Sequence, residues 1–199
     1  MTAAVVLAAG ASTRLGEPKQ LATIAGETLL ARAVRTAREA GCAPVVVVLG
    51  ADAERIAERC NLGDAVVAVN GEWSEGMASS IRAGVRTLDA IAKDVDGMVL
   101  MTCDQPAVTA EHLRALMETG ATTASRYAGR NGIPAYHPKK NFTDLMLLRG
   151  DFGARDLLRG AAAVEIAGGE LDVDTPEDLA EAQRRFSIHS FGSGRRFAS

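Results

Sequence analysis

The chain has 199 residues, 47% hydrophobic and 24% charged, with a formal net charge of −3, which suits one globular domain with a sizeable core. A net-negative chain has no basic field for a nucleic-acid backbone, so DNA and RNA are excluded as main partners while a local basic pocket for a phosphorylated small molecule stays open. Cys42, Cys60 and Cys103 are odd in number and form no C-x-x-C pair, which excludes a disulfide framework and a zinc signature; with no basic leader and no apolar run of about 20 residues, the expectation is a reduced, cytoplasmic protein without a membrane anchor.

In chain order, Ala3–Ala8 reads as a buried strand, followed by a glycine-containing loop and a helical stretch at Leu29–Ala40, with Gly41 placed as its C-terminal cap. Val45–Leu49 is a second strand and Ala53–Cys60 a helix; Ala65–Val69 is a third strand and Met77–Ile91 a helix; Gly97–Met101 is a fourth strand and Ala110–Thr119 a helix. This alternation predicts an α/β fold whose mainly parallel sheet is flanked by helices on both faces. Further on, the pattern predicts a weak strand at Thr122–Ser125, a loop at Gly129–Pro134, short helices near Asn141–Leu148 and Gly153–Arg159, and a strand at Ala163–Ile166. Thr175, Pro176 and Asp178 form a helix start of capping-box type. The Ser-, Gly- and Arg-rich end predicts one domain over residues 1–186 and a flexible tail over 187–199.

Ligands of such sheets gather at the carboxyl ends of the strands. After the first strand stands Leu7-Ala8-Ala9-Gly10-Ala-Ser12-Thr-Arg14-Leu-Gly16-Glu-Pro18-Lys19-Gln20-Leu21. Glycines let the backbone approach a ligand, successive amides make an anion-binding concavity, and Arg14 and Lys19 add two cations, a combination suited to a triphosphate. Five residues separate Gly10 from Gly16, so this is neither a Walker loop nor a dinucleotide-binding loop. Asp104 follows the fourth strand, where a carboxylate could bind a divalent cation, although residue type alone makes it more readily a turn or cap residue. Asp172 and Asp174 are two apart in an extended segment, so their side chains can face the same way. Gly76, Ser79 and Ser80 follow the third strand and offer small groups for reading a base or ribose; helix capping is the ordinary alternative.

The string Leu7–Leu21 closely resembles the L-A-A-G-x-S-x-R-x-G-x-P-K-Q-L signature of nucleotidyltransferases that share a three-layer, Rossmann-like, glycosyltransferase-type-A fold. Asn70–Ile81 looks like the N-x-x-W-x-x-G-M-x-x-S motif of the molybdenum cofactor cytidylyltransferase subfamily. Gly132–Ala135, Gly150–Arg155 and Asp172–Leu179 resemble its G-x-P-A, G-D-x-G-A-R and D-x-D-T-P-E-D-L elements, so the likeness spans roughly residues 3–183. One departure is Ile133, where many members carry a histidine or another residue.

The resemblance implies transfer of CMP from CTP to the phosphate of molybdopterin, with release of pyrophosphate and with Mg²⁺ as cofactor. Ala8-Ala9-Gly10 matches the cytidylyl loop better than the L-A-G-G loop of guanylyl relatives. By residue, the likeness implies that Arg14, Lys19 and Asp104 are catalytic. Leu7, Ala8, Ala9, Gly10, Ser12, Gly76, Ser79 and Ser80 would bind the nucleotide, and Arg155, with Asp151, would orient the acceptor. Asp104 and Asp174 would hold the metal, with Asp172 as a further candidate. A molybdenum hydroxylase is the implied protein partner. Three alternatives stand beside this reading: a guanylyl or sugar-phosphate transferase on the same fold, a non-catalytic protein delivering cofactor to a hydroxylase, and an NAD(P)-linked oxidoreductase, which the loop spacing disfavours. Cys103 reads as a small buried neighbour, because no His or second Cys is placed to activate it.

Overall fold

The computed structural model describes residues 1–150 and 156–187. Its elements in chain order are β1 (Thr2–Ala8), β2 (Thr23–Ile24), β3 (Glu27–Thr28), α1 (Leu29–Glu39), β4 (Val45–Leu49), α2 (Ala53–Arg59), β5 (Val66–Val69), α3 (Met77–Ile91), β6 (Gly97–Thr102), α4 (Ala110–Met117), β7 (Thr123–Tyr127), β8 (Arg130–Pro138), α5 (Phe142–Met146), β9 (Ala162–Glu165) and α6 (Pro176–Phe186). Among the described residues, seven strands form one sheet in the order β5-β4-β1-β6-β8-β7-β9. Every neighbouring pair is parallel except those made by β8, which runs against both β6 and β7.

The near-continuous apolar runs of β1, β4 and β6 follow from burial on both faces. Alternate residues go to opposite sides. Ala4, Val6, Val47, Leu49, Val99 and Met101 pack under Leu30 and Val34 of α1 and Leu113 and Leu116 of α4. Val5, Leu7, Val46, Val48, Met98 and Leu100 pack under Ile81, Val85 and Leu88 of α3 and Leu145 of α5. The result is the three-layer α/β arrangement expected from the strand–helix alternation.

Caps define the helix starts. Thr28 accepts from the Ala31 N–H and Thr109 from the His112 N–H, while Thr175 and Asp178 make the reciprocal capping box with Pro176 in the first turn. Gly41 follows α1 at φ +92°, and its N–H donates to Arg38 O.

One expectation needs correction, and one element is additional. Of the segment Gly129–Pro134, only Gly129 lies in a turn: Arg130 to Pro138 is an interior strand between β6 and β7. Pro134 is accommodated because the β7–β8 register shifts between Ala124 and Ser125, so Ala135 pairs with Ala124 while Gly132 already pairs with Ser125. The short hairpin β2–β3 was not anticipated; its turn residues Ala25 and Gly26 both have positive φ. Of the helix expected at Gly153–Arg159, the described part is a single 3₁₀ turn at Asp156–Leu158. Asp151, Gly153 and Arg155 lie outside the described residues, as does the expected tail beyond Ser187.

His137 on β8 is completely buried, and neither ring nitrogen has a hydrogen-bond partner. Burial pushes its pKa down to about 4. Unfolded, the ring takes a proton near pH 6.5, so the unfolded chain binds more protons between those values. Stability from the neutral ring is complete above about pH 6.5 and falls as pH drops toward about 4, by at most about 3 kcal/mol. His137→Leu removes this loss. The difference in unfolding free energy between wild type and variant, followed by urea denaturation from pH 7 to pH 4, isolates it because the other titrating groups cancel. A pH-independent difference would contradict the assignment.

Candidate active site

The site is built where β1, β4, β5 and β6 end. After Ala8 the chain turns through Gly10 and Ser12 into a 3₁₀ turn at Lys19–Leu21. Gln20, 0% exposed, holds this excursion: its Nε2 donates to Ala8 O at 2.6 Å and to Gly10 O at 3.1 Å. Ser12, at φ +54°, accepts from the Lys19 N–H at 3.0 Å. The loop is thus cross-linked at both ends by the chain's own groups, and the Lys19 side chain is directed across the strand ends.

There it meets the two acidic segments. Lys19 Nζ donates to Asp104 Oδ2 at 2.6 Å and to Asp174 Oδ1 at 2.7 Å, and Arg14 Nη2 donates to Asp174 Oδ2 at 2.8 Å. A backbone bond from Val173 N–H to Asp104 O, 2.9 Å, ties the acidic segments together. Val173 is buried, which leaves Asp172 and Asp174 on either side of it to turn outward. Burial works against the Lys19 ammonium, but the charge and hydrogen bond of Asp104, together with Asp174, hold its pKa above the ordinary lysine range. Asp172 is exposed as a residue, yet loss of solvent around its carboxyl, followed by the charges of Asp104 and Asp174, raises it to about 6. Cys103 is buried; burial first, then Asp104, pushes its thiol above the ordinary range, which disfavours a thiolate.

These carboxylates suit a hard divalent cation. Asp104 Oδ1 is buried and has no hydrogen-bond partner, an oxygen that lacks only a donor or a metal. Among the described residues, no group of three or more His, Cys, Asp or Glu is arranged to hold a metal. An ion at Asp104 and Asp174 would therefore complete its shell with water and phosphate oxygens, as Mg²⁺ commonly does.

The opposite wall is the loop from Asn70 to Gly76. Asn70 is buried; its Nδ2 donates to Ser79 Oγ at 2.9 Å and Ser80 Oγ at 3.1 Å, and its Oδ1 accepts from the Glu72 N–H at 3.0 Å. Gly76 has φ +105°, a conformation that only glycine adopts freely. Between the walls lies a cleft of about 410 Å³. Leu7, Ala8, Ala9, Gly10, Lys19, Gly76, Ser80 and Asp104 line it together, although the sequence spreads them over almost a hundred residues.

Other expected residues are placed differently. Ser79 is buried, with Glu72 O and Gly76 O each 2.9 Å from its hydroxyl, so it braces the loop instead of facing a nucleotide. Ser12 likewise serves the loop through Lys19. Arg14 stands at the rim, its side chain 70% exposed. Arg155 lies outside the described residues. Reading the sequence missed Gln20 and Asn70 as the braces of the two walls, and Trp73, Met77 and Thr102 as cleft residues. The first two stood inside recognised motifs, but nothing local announces which motif residues turn inward. A larger open groove of about 570 Å³ beside α1 is lined by Arg35, Arg38 and Arg59, away from these strand ends. Arg35 is bound there by Glu27 and Glu39, and Arg38 by Leu62 O and Asp64.

Comparison with known proteins gives the chain its relatives. The family described as MobA-like NTP transferase domain matches residues 4–166. Purine catabolism protein PucB of Bacillus subtilis (strain 168) is 32% identical over 204 residues, covering 92% of this chain and 96% of that protein. Nicotine blue oxidoreductase of Paenarthrobacter nicotinovorans is 38% identical over 133 residues, 66% of this chain, and the match spans 60% of that protein's length. Among solved structures, Rv0371c from Mycobacterium tuberculosis H37Rv superposes with a TM-score of 0.81 at 31% identity, covering 92% of this chain and 97% of its own. A structure of Rv0371c in complex with manganese gives a TM-score of 0.77 at 29% identity over 92% of this chain and 98% of its own.

Proposed function

The chain belongs to the MobA-like NTP transferase family, and from that premise we propose that it transfers CMP from CTP to the phosphate of a molybdopterin-type acceptor, releasing pyrophosphate. The observation that carries the reading is Lys19, bracketed by Asp104 and Asp174 at the mouth of a cleft that begins at Gly10. An acceptor phosphate oxygen attacks the α-phosphorus, and the bond from that phosphorus to the β-phosphate bridging oxygen breaks. No covalent nucleophile of the protein is required; positioning and electrostatics do the work. The amides of the Ala9–Gly10 turn and the Lys19 and Arg14 cations bind the triphosphate and oppose the charge that builds on the leaving pyrophosphate. A divalent cation, Mg²⁺ in this proposal, would be held by Asp104 and Asp174 and would offset charge on the phosphate oxygens. Ser80 and the loop braced by Asn70 form the wall against which the base is read. The Ala8-Ala9-Gly10 loop and the N-x-x-W segment favour cytosine over a guanylyl or sugar-phosphate reaction.

The test is a panel of the four ribonucleoside triphosphates, with and without Mg²⁺, read by thermal shift and by pyrophosphate release in the presence of molybdopterin. At about 100 times its Kd, a ligand adds about 2.7 kcal/mol, which for a chain of this size raises Tm by about 5–10 °C. CTP with Mg²⁺ is expected to give that shift and to release pyrophosphate; a flat panel ends the proposal. The name of the nicotine blue oxidoreductase raises a second reading, redox catalysis. It predicts NAD(P)H turnover, whereas the loop here lacks the dinucleotide glycine spacing; the same protein sample incubated with NADH or NADPH decides between them.

A further inference from the structure

Gly50 follows β4 and has no part in the reaction described above. The carboxyl end of β4 is tethered to both walls of the cleft. The Ala51 N–H donates to Ala9 O at 3.1 Å, holding the phosphate loop, and the Asn70 N–H donates to Leu49 O at 2.7 Å, holding the start of the loop that carries Trp73. Gly50 lies between these two bonds. A Cβ at this position would stand 2.6 Å from Ala9 O, 2.6 Å from Trp73 Cβ and 2.7 Å from Trp73 Cγ. A carbonyl oxygen and a Cβ move only with their main chain, so neither can rotate out of the way as the tip of a long side chain would. Gly50 is not among the glycines with positive φ. Space, not backbone conformation, requires glycine there.

We propose that Gly50 is a positioning residue of the nucleotide cleft: its bare Cα lets the phosphate loop and the Trp73 wall meet, and so sets the width of the cleft between them. The role assigned to the cleft rests on the transferase reading; the packing of Trp73 against Gly50 does not. A side chain at position 50 would spread the walls and move the Gly10 loop relative to the residues that face it across the cleft. Displacements of this order are costly where binding depends on several groups converging.

The chain has a single tryptophan, so emission excited at the red edge of the absorption band, where the two tyrosines do not absorb, reports on this wall alone. Gly84→Ala supplies a matched steric insult elsewhere: its new Cβ would press on Val5 and, at 3.1 Å, on Val48 Cγ2, inside the core beneath α3. Gly50→Ala is expected to shift the Trp73 emission maximum and to weaken binding of CTP with Mg²⁺, measured by calorimetry, by about 10-fold or more. Gly84→Ala is expected to lower Tm but to leave emission and affinity as in wild type. The proposal is overturned if Gly50→Ala retains wild-type emission and affinity, or if Gly84→Ala weakens binding equally, which would make the effect general destabilisation. Should Gly50→Ala fail to fold, Trp73→Leu keeps the glycine and strips the wall; it is expected to lose about the same affinity with little change in Tm, and wild-type affinity there overturns the proposal. If wild type binds no triphosphate at all, the transferase reading fails, while the emission comparison of Gly50→Ala with Gly84→Ala still decides whether Gly50 sets the wall.

Discussion

Asp104→Asn is expected to reduce nucleotidyl transfer by about 10³-fold in kcat. The substitution keeps the size of the side chain and an oxygen that can accept from Lys19, but it removes the negative charge at the end of β6. Offsetting charge on phosphate oxygens through a bound cation contributes several kcal/mol in reactions of this type, and a loss of about 4 kcal/mol corresponds to that factor. The fold should survive, because Lys19 keeps Asp174 as a partner at 2.7 Å and because Asp104 packs at the end of a strand whose register depends on backbone bonds. Pyrophosphate release under saturating CTP and Mg²⁺, alongside far-UV circular dichroism, is the measurement. A folded Asp104→Asn enzyme within about 10-fold of wild type would remove this carboxylate from the chemistry. The variant also separates transfer from delivery: a protein that only carried cofactor to a hydroxylase would go on doing so.

Lys19→Met is expected to have two effects of opposite sign. Lys19 and Arg14 together occupy three of the four carboxylate oxygens of Asp104 and Asp174. The carboxylates are already neutralised, so a divalent cation alone gains little by binding. In the proposed reaction a triphosphate would draw the two cations to itself and leave the carboxylates free. Removing the lysine should therefore strengthen binding of the cation alone while weakening binding of the triphosphate. A hydrogen bond to a charged group is worth about 1.5–3 kcal/mol, and discounting for the solvent that reaches Asp174 leaves about a 10-fold gain for manganese(II) measured by electron paramagnetic resonance. For CTP the same loss of a charge-assisted contact predicts an affinity about 10-fold or more below wild type. Because Asp104 and Asp174 hold the ammonium's pKa above the ordinary lysine range, the wild-type competition should not vary between about pH 7.5 and pH 9, above the range in which Asp172 gains its charge. A manganese affinity that falls together with the CTP affinity would show that Lys19 does not compete for the carboxylates.

Much of the site was legible because chemistry and local geometry coincide in short segments. The loop after β1 announces itself through glycines with cations beside them, and the capping box at Thr175 marks the start of α6 from four residues alone. What misled the reading was also local. Gly132 and Pro134 are punctuation in a short window, yet they belong to a strand, because the irregularity between Ala124 and Ser125 absorbs the proline and two neighbouring strands supply the rest of the ladder. Ser79 and Ser80 look alike in sequence. In the fold both oxygens accept from the single amide of Asn70, but Ser79 turns its own proton to Glu72 O or Gly76 O, and Ser80 is left on the cleft.

The amino-acid order by itself determined the three-layer scaffold, since apolar periodicity and capping act over a few residues, and it supplied the candidate side chains for phosphate and metal. Only the tertiary structure decided how they meet. Lys19 reaches Asp104 across 85 residues, Arg14 reaches Asp174 across 160, and Gly50 draws the two cleft walls together. Such encounters depend on which strand ends lie side by side. That in turn follows from the packing of the whole sheet and its helices, and no window of the chain contains it.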